Sequence, residues 1–177
     1  MNSFGNEGNI NYLNVIEVLV ENFYVIKSID DVYSLLSEKN IKDITSCDDI
    51  KFAEQFGPVP TKSYLFEFID AKGIKCEAEI FFLHSGELVN VRVQMFFKDI
   101  IMGNEDSYRF MSEDLIPFFE KLFPQSSPVY NPPIYNPVTG EMKIEGMLIR
   151  YSGIVVVVNK LTGAPSISTW ITLEGYE

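Results

Sequence analysis

The stretch Leu88-Val89-Asn90-Val91-Arg92-Val93-Gln94-Met95-Phe96-Phe97 decides the fold class. Val89, Val91, Val93, Met95 and Phe97 fall on one side of an extended chain, and Asn90, Arg92 and Gln94 on the other. A period of two with one wet face marks an antiparallel strand. Upstream, Lys75 to Leu83 sets Cys76, Ala78, Ile80 and Phe82 against Lys75, Glu77 and Glu79, and the aromatic run Ser63 to Asp70 comes before it. Asp70 to Gly73 and His84 to Glu87 supply turns, so residues 61–100 read as a three-stranded meander.

Toward the N-terminus the period becomes helical. Asn11 to Phe23 carries the β-branched residues Val15, Ile16, Val18 and Val20. Yet Asn11, Asn14, Glu17 and Glu21 recur every three or four residues opposite Leu13, Ile16, Val20 and Phe23, and periodicity outweighs propensity. Ser28 with Asp31 is a capping pattern before Ile29, Val32, Tyr33 and Leu36. Ser46 with Asp49 repeats it before Ile50, Ala53 and Phe56, with Gly57-Pro58 as a stop. Residues 1–60 are therefore expected to be mainly helical.

Toward the C-terminus, residues 105–123 return to a helical period through Leu115, Phe118, Phe119 and Leu122. Pro117 lacks an N–H and clashes with the preceding turn, which predicts a kink or restart. Residues 124–141 hold five of the nine prolines and the near-repeat Tyr130-Asn131-Pro132, Tyr135-Asn136-Pro137, the composition of a long semi-rigid loop. A second meander is expected over 142–175, with the doubly apolar run Ile154 to Val158 at its centre.

The expected fold class is α+β over a single domain 1–177: N-terminal helices, then two three-stranded antiparallel meanders separated by a helix and a Pro-rich loop. The meanders would form one curved sheet or two packed ones, with helices over one face. A cystatin-like or NTF2-like cone is the alternative layout, by fold-level analogy alone.

Composition narrows the function. With 46% hydrophobic residues in 177, the chain can bury a core without disulfide or metal staples. The longest wholly aliphatic run, Ile154 to Val158, is far below the roughly 20 residues of a spanning helix, and the N-terminus has no basic, apolar leader, so a cytoplasmic protein outside the membrane is expected. The net charge of minus 11 disfavours nucleic acid as a ligand. Residues 1–50 hold nine of the acidic residues and only three basic ones, so more than half of the excess lies in the helical third.

Catalytic signals are sparse. His84 sits in a turn without a flanking nucleophile or orienting partner, and Cys47 and Cys76 read as small buried residues rather than a redox pair. Phosphate-loop, dinucleotide and nucleophile-elbow motifs are absent, as is a zinc-type ligand set. Glu77 and Glu79 could be a carboxylate pair, but Lys75 beside them makes a solvated face the better account. Pro132-Pro133-Ile134-Tyr135 has the pattern read by WW domains, although tyrosines beside prolines also pin a loop to a core.

These features predict no catalytic residue, metal or cofactor. The expectation is a non-enzymatic protein-binding module of the immunity or antitoxin type, an acidic inhibitor that neutralises a basic toxin or effector domain. Partner contact is assigned to Asp30, Asp31, Asp43, Asp48 and Asp49, with Tyr130 and Tyr135 as aromatic anchors. Solubility and helix-start carboxylates account for the same acids more simply. The alternative function is a small-molecule module or cryptic enzyme with a pocket lined by Phe66, Phe68, Phe81, Phe82, Phe96 and Trp170. Assembly through a sheet edge is a third option.

Overall fold

The alternating runs form strands that share one apolar face, and helices cover that face. The computed structural model describes residues 10–36, 41–45, 62–83, 85–98, 100–132, 134–135, 142–161 and 165–176. Helices α1 (Tyr12–Glu21) and α2 (Ile29–Leu36) are followed by strands β1 (Lys42–Asp43), β2 (Lys62–Ile69), β3 (Lys75–Phe82) and β4 (Leu88–Phe96). A helical run then joins α3 (Ile100–Phe110), a π-type turn (Met111–Leu115) and α4 (Ile116–Leu122). Short strands β5 (Val129–Tyr130), β6 (Ile134–Tyr135) and β7 (Met142–Lys143) lead to β8 (Gly146–Tyr151), β9 (Ile154–Leu161) and β10 (Ser166–Leu173).

The division into two three-stranded units gives way to one eight-stranded antiparallel sheet, ordered β1-β2-β3-β4-β10-β9-β8-β5. Left apart, β4 and β10 would each present a row of unpaired backbone groups beside an apolar face. They pair instead, with Val91 opposite Ile171, Val93 opposite Thr169 and Met95 opposite Ile167. The shared face continues through Phe66, Phe68, Cys76, Ala78, Val156, Val158 and Ile149, all buried.

Asn11 caps α1, its side-chain oxygen accepting from the Asn14 amide at 3.1 Å. The helix buries Tyr12, Val15, Ile16 and Leu19, a stripe rotated from the expected one because Tyr12 is drawn inward. The Tyr12 hydroxyl donates to the Val93 carbonyl at 2.8 Å and lies 2.8 Å from Thr169 Oγ1, so it bridges β4 and β10 at their junction. Its amide donates to Asp70 Oδ2 at 2.8 Å, which ties the helix start to the β2–β3 turn.

The third helical run starts at Ile100, several residues before its expected beginning. Within it Gly103 is a packing site. A Cβ there would lie 2.9 Å from the Phe97 Cβ and 3.1 Å from Pro165, so only glycine lets the helix approach the β9–β10 connection so closely. The restart expected at Pro117 occurs as the π-type turn: the Ile116 amide bonds to the Met111 carbonyl, and Pro117 then stands in the first turn of α4, where its missing N–H is tolerated.

The Pro-rich segment expected as a loop contains two short strands, β5 paired with β8 and β6 with β7. Edge positions accept prolines because the missing N–H needs no ladder partner. The strand expected from Met142 to Arg150 breaks before Gly146, where a Cβ would meet the Val158 carbonyl at 2.8 Å and the Asn131 amide nitrogen. The helix expected after Ser46, with Asp48 and Asp49, lies outside the described residues, as do Cys47 and His84.

Tyr12→Phe leaves Thr169 Oγ1 and the Val93 carbonyl short of a partner in a dry site. A loss of about 1–3 kcal/mol in urea unfolding with an unchanged m-value is expected. Gly146→Ala is expected to cost about 2 kcal/mol or more in the same measurement, since the obstructing atom is backbone.

Candidate functional site

Three surfaces carry polar groups that the core does not require: the outer side of the helices, a cleft beside α3, and the sheet face opposite the helices.

The helices carry nine of the 25 acidic residues and only two basic ones. Glu17, Glu21, Asp30 and Asp31 lie on α1 and α2 without any Lys or Arg. The run from Ile100 to Leu122 adds Glu105, Asp106, Glu113, Asp114 and Glu120 against Arg109 and Lys121, giving the helices a net charge of minus 7. The strands reverse the sign. Asp43, Glu67, Glu77 and Glu79 face Lys42, Lys62, Lys75, Arg92, Lys143, Arg150 and Lys160, a net of plus 3. All three helical segments contribute to one hydrophobic cluster on the same side of the sheet, with the Tyr12 and Phe110 rings edge to face at 5.9 Å. Folding therefore sets acidic helices on a weakly charged sheet, two of whose cations, Lys143 and Lys160, turn toward Tyr108 of α3.

The expected contact residues divide between structural and free roles. Asp31 Oδ2 accepts from the Lys27 and Ser28 amides at 2.8 and 3.1 Å, closing the N-terminus of α2 as the sequence pattern implied. Asp30 is exposed in the same turn. Asp43 links β1 to α2 by accepting from the Tyr33 hydroxyl, and its other oxygen accepts from the Thr45 amide at 2.9 Å. Partial burial pushes the Asp43 carboxyl up, but hydrogen bonds from Thr45 and Tyr33 outweigh it and hold the group below its ordinary value. The bond to Asp43, with some burial, pushes the Tyr33 hydroxyl up to about 12.

Asp30 and Asp43 thus flank Tyr33, whereas Tyr130 is on the opposite edge of the sheet. Strand spacing puts the two edges roughly 30 Å apart along the sheet. The Tyr130 hydroxyl is pushed up by burial and by Glu120, which it faces, so this ring is fastened to α4. Tyr135 belongs to β6, paired with Met142, so the Ile134-Tyr135 part of the WW-type pattern is held in a ladder.

The cleft beside α3 has a volume of about 370 Å³ and is lined by Glu105, Tyr108, Arg109, Met111, Ser112, Glu113, Lys143 and Ile144. Tyr108 donates to Glu145, while the ammonium groups of Lys143 and Lys160 lie 4.6 and 4.3 Å from its ring centre. Burial, then the bond to Glu145, pushes the Tyr108 hydroxyl up to about 12. Lys160 is 6% exposed and donates to Asn104 Oδ1 at 2.7 Å. Burial pulls its ammonium down, Glu145 opposes this, and Lys143 adds to it. No sequence pattern pointed here, because the cluster joins α3, β7, β9 and the residue before β8.

The sheet face opposite the helices carries a second cluster. Phe81 stacks on Trp170 with ring centres 6.4 Å apart, Arg92 lies 5.6 Å from the Trp170 ring, and its guanidinium meets Glu79 at 2.6 Å. Glu77 pairs with Lys75 at 3.6 Å. The two strand glutamates are thus each bound to a cation. The six aromatics expected to line one pocket are split between faces: Phe66, Phe68 and Phe82 are buried in the core, and Phe81, Phe96 and Trp170 are on this side. Among the described residues, Asn90 Oδ1, opposite Phe81, is buried with no hydrogen-bond partner.

Cys76 is fully buried, and burial pushes its thiol far up, which removes the thiolate that nucleophilic chemistry needs. Among the described residues, no three His, Cys, Asp or Glu side chains converge as metal ligands, and no helix is long and apolar enough to cross a membrane.

Because the folded Asp43 value lies below the unfolded one, its ionised form stabilises the fold above the unfolded value. That contribution disappears as pH falls through the folded value. Carboxyl carbon NMR titration is expected to place the Asp43 midpoint below that of an unfolded-chain aspartate, with Tyr33→Phe and Thr45→Val each moving it upward. An ordinary midpoint unaffected by either change would refute the hydrogen-bonded geometry.

No family model, curated protein or solved structure matches the chain.

Proposed function

We propose that the protein is a non-enzymatic binding module whose acidic helix layer captures a basic protein, in the manner of an immunity or antitoxin-type inhibitor of a cationic toxin or effector. The observation that carries the proposal is charge segregation: a net of minus 7 on the helices against plus 3 on the strands. An acidity serving solubility alone has no need of one layer, whereas a one-sided field orients and accelerates the approach of a cationic partner. Glu17, Glu21, Asp30, Glu105 and Glu113 belong to that layer, and Asp31 contributes charge while it caps α2. We further propose a cytoplasmic site of action, where such an inhibitor would shield its host.

The cleft beside α3 favours a second reading, a site for a small polar ligand. Its volume of about 370 Å³ falls in the range of ligand sites, and its lining alternates carboxylates with cations.

Binding to a panel of basic domains of pI above about 9 tests the first reading. Affinity is expected to fall about tenfold between roughly 50 and 200 mM salt. The quadruple variant Glu17→Gln/Asp30→Asn/Glu105→Gln/Glu113→Gln is expected to flatten that dependence, and Glu67→Gln/Glu77→Gln on the sheet to leave it unchanged. Affinity indifferent to salt, or equal loss in both variants, would sink the proposal. Thermal stabilisation by metabolites in place of basic proteins would favour the cleft.

A further inference from the structure

Four exposed apolar side chains gather where β8 turns into β9. Tyr24 and Val25 follow α1, Tyr151 closes β8 and Tyr176 follows β10, with exposures of 51, 69, 40 and 46%. Two hydrogen bonds join the segments that carry them: the Tyr24 hydroxyl donates to the Ser152 carbonyl, and the Glu174 amide to the Gly153 carbonyl at 2.8 Å. Tyr24 stands edge-on to Phe23 with ring centres 5.7 Å apart, and Tyr151 rests on Phe123 at 4.8 Å. Rings already held in this way lose little freedom on binding, the property that suits tyrosine to protein interfaces.

The surroundings are negative on balance, with Glu21, Asp30, Asp31 and Glu174 against Lys27 and Arg150. Glu21 is the last residue of α1, and no basic side chain occupies the last turn of that helix, so its negative end is uncompensated here. Asp30 and Asp31 open α2 just beyond the same loop. Glu174 borders the patch, 3.5 Å from Arg150 in a largely exposed pair of the kind worth little in water. The patch is therefore continuous with the acidic helix layer.

We infer that Tyr24, Val25, Tyr151 and Tyr176 form the surface on which arginine side chains of a basic protein partner are anchored. The assignment rests on the proposal that the helix layer attracts such a partner, and it adds where the partner is gripped. A guanidinium stacks flat on a tyrosine ring while leaving its N–H groups free for carboxylates, which the flanking helix ends supply as Glu21 and Asp30; a lysine ammonium has no such plane.

Calorimetric titration compares an arginine-rich and a lysine-rich peptide of equal length and charge. The wild type is expected to bind the arginine peptide about tenfold more tightly. Val25→Ser/Tyr176→Ala should weaken that preference, and adding Tyr24→Leu/Tyr151→Leu should abolish it while keeping the salt dependence. All four side chains are exposed, and circular dichroism with a melting curve verifies that the fold is retained. No arginine preference in the wild type, or a preference that survives removal of all three rings, would overturn the anchor and leave the acidic layer standing. Affinity that ignores salt and survives the quadruple helix-layer variant would overturn the acidic layer and the anchor with it.

Discussion

The seam between β4 and β10 is the constraint on which the rest of the structure depends. Val91, Val93 and Met95 meet Ile171, Thr169 and Ile167 across it, joining strands more than seventy residues apart in the chain. Without that pairing, each half would expose a long apolar strand edge and half a core. Tyr12 reaches this seam from α1, and its hydroxyl satisfies polar groups on both strands at once. One side chain therefore fixes the position of the first helix and marks the register of the two halves. Asp70, which accepts from the Tyr12 amide, extends the same tie to the β2–β3 turn.

A single sheet with its helices on one side has an electrostatic consequence. The carboxylates that start or decorate helices all end up in one layer, while most of the strand cations lie in the sheet. Some of the acids have local duties, as Asp31 does at its cap and Asp43 beneath Tyr33. Among the described residues, Glu17, Asp30 and Glu105 make no capping bond, and in them the field of the layer is not spent on the fold. The opposite face pairs its own charges, Glu79 with Arg92 and Lys75 with Glu67 and Glu77. It is close to neutral and dominated by the Phe81 and Trp170 rings.

Local signals were legible where chemistry and geometry are local. The alternation of Cys76 to Phe82 and Val89 to Phe97 placed two strands, and Ser28 with Asp31 placed a helix start. The early start of the third helical run had no local signal, since Gly103 takes its role from Phe97 and from the distant Pro165. Tyr12 was assigned to neither stripe, since its inward position depends on Thr169. Likewise, the cleft around Tyr108 takes Lys143, Glu145 and Lys160 from beyond the Pro-rich segment, so it has no spacing to detect.

By itself, the sequence determined the α+β class, the acidic balance and the residues able to cap, turn or alternate, because these follow from backbone propensities and periodicities over a few residues. Tertiary structure alone decided that both strand runs share one sheet, that the charge divides by layer, and that Asp43 and Tyr130 stand at opposite edges. It also decided that the segments carrying Tyr24, Tyr151 and Tyr176 converge on one turn. Each of these is a matter of long-range pairing, set by the burial of a shared apolar face and by backbone groups that must find partners, and neither requirement names those partners until the chain has folded.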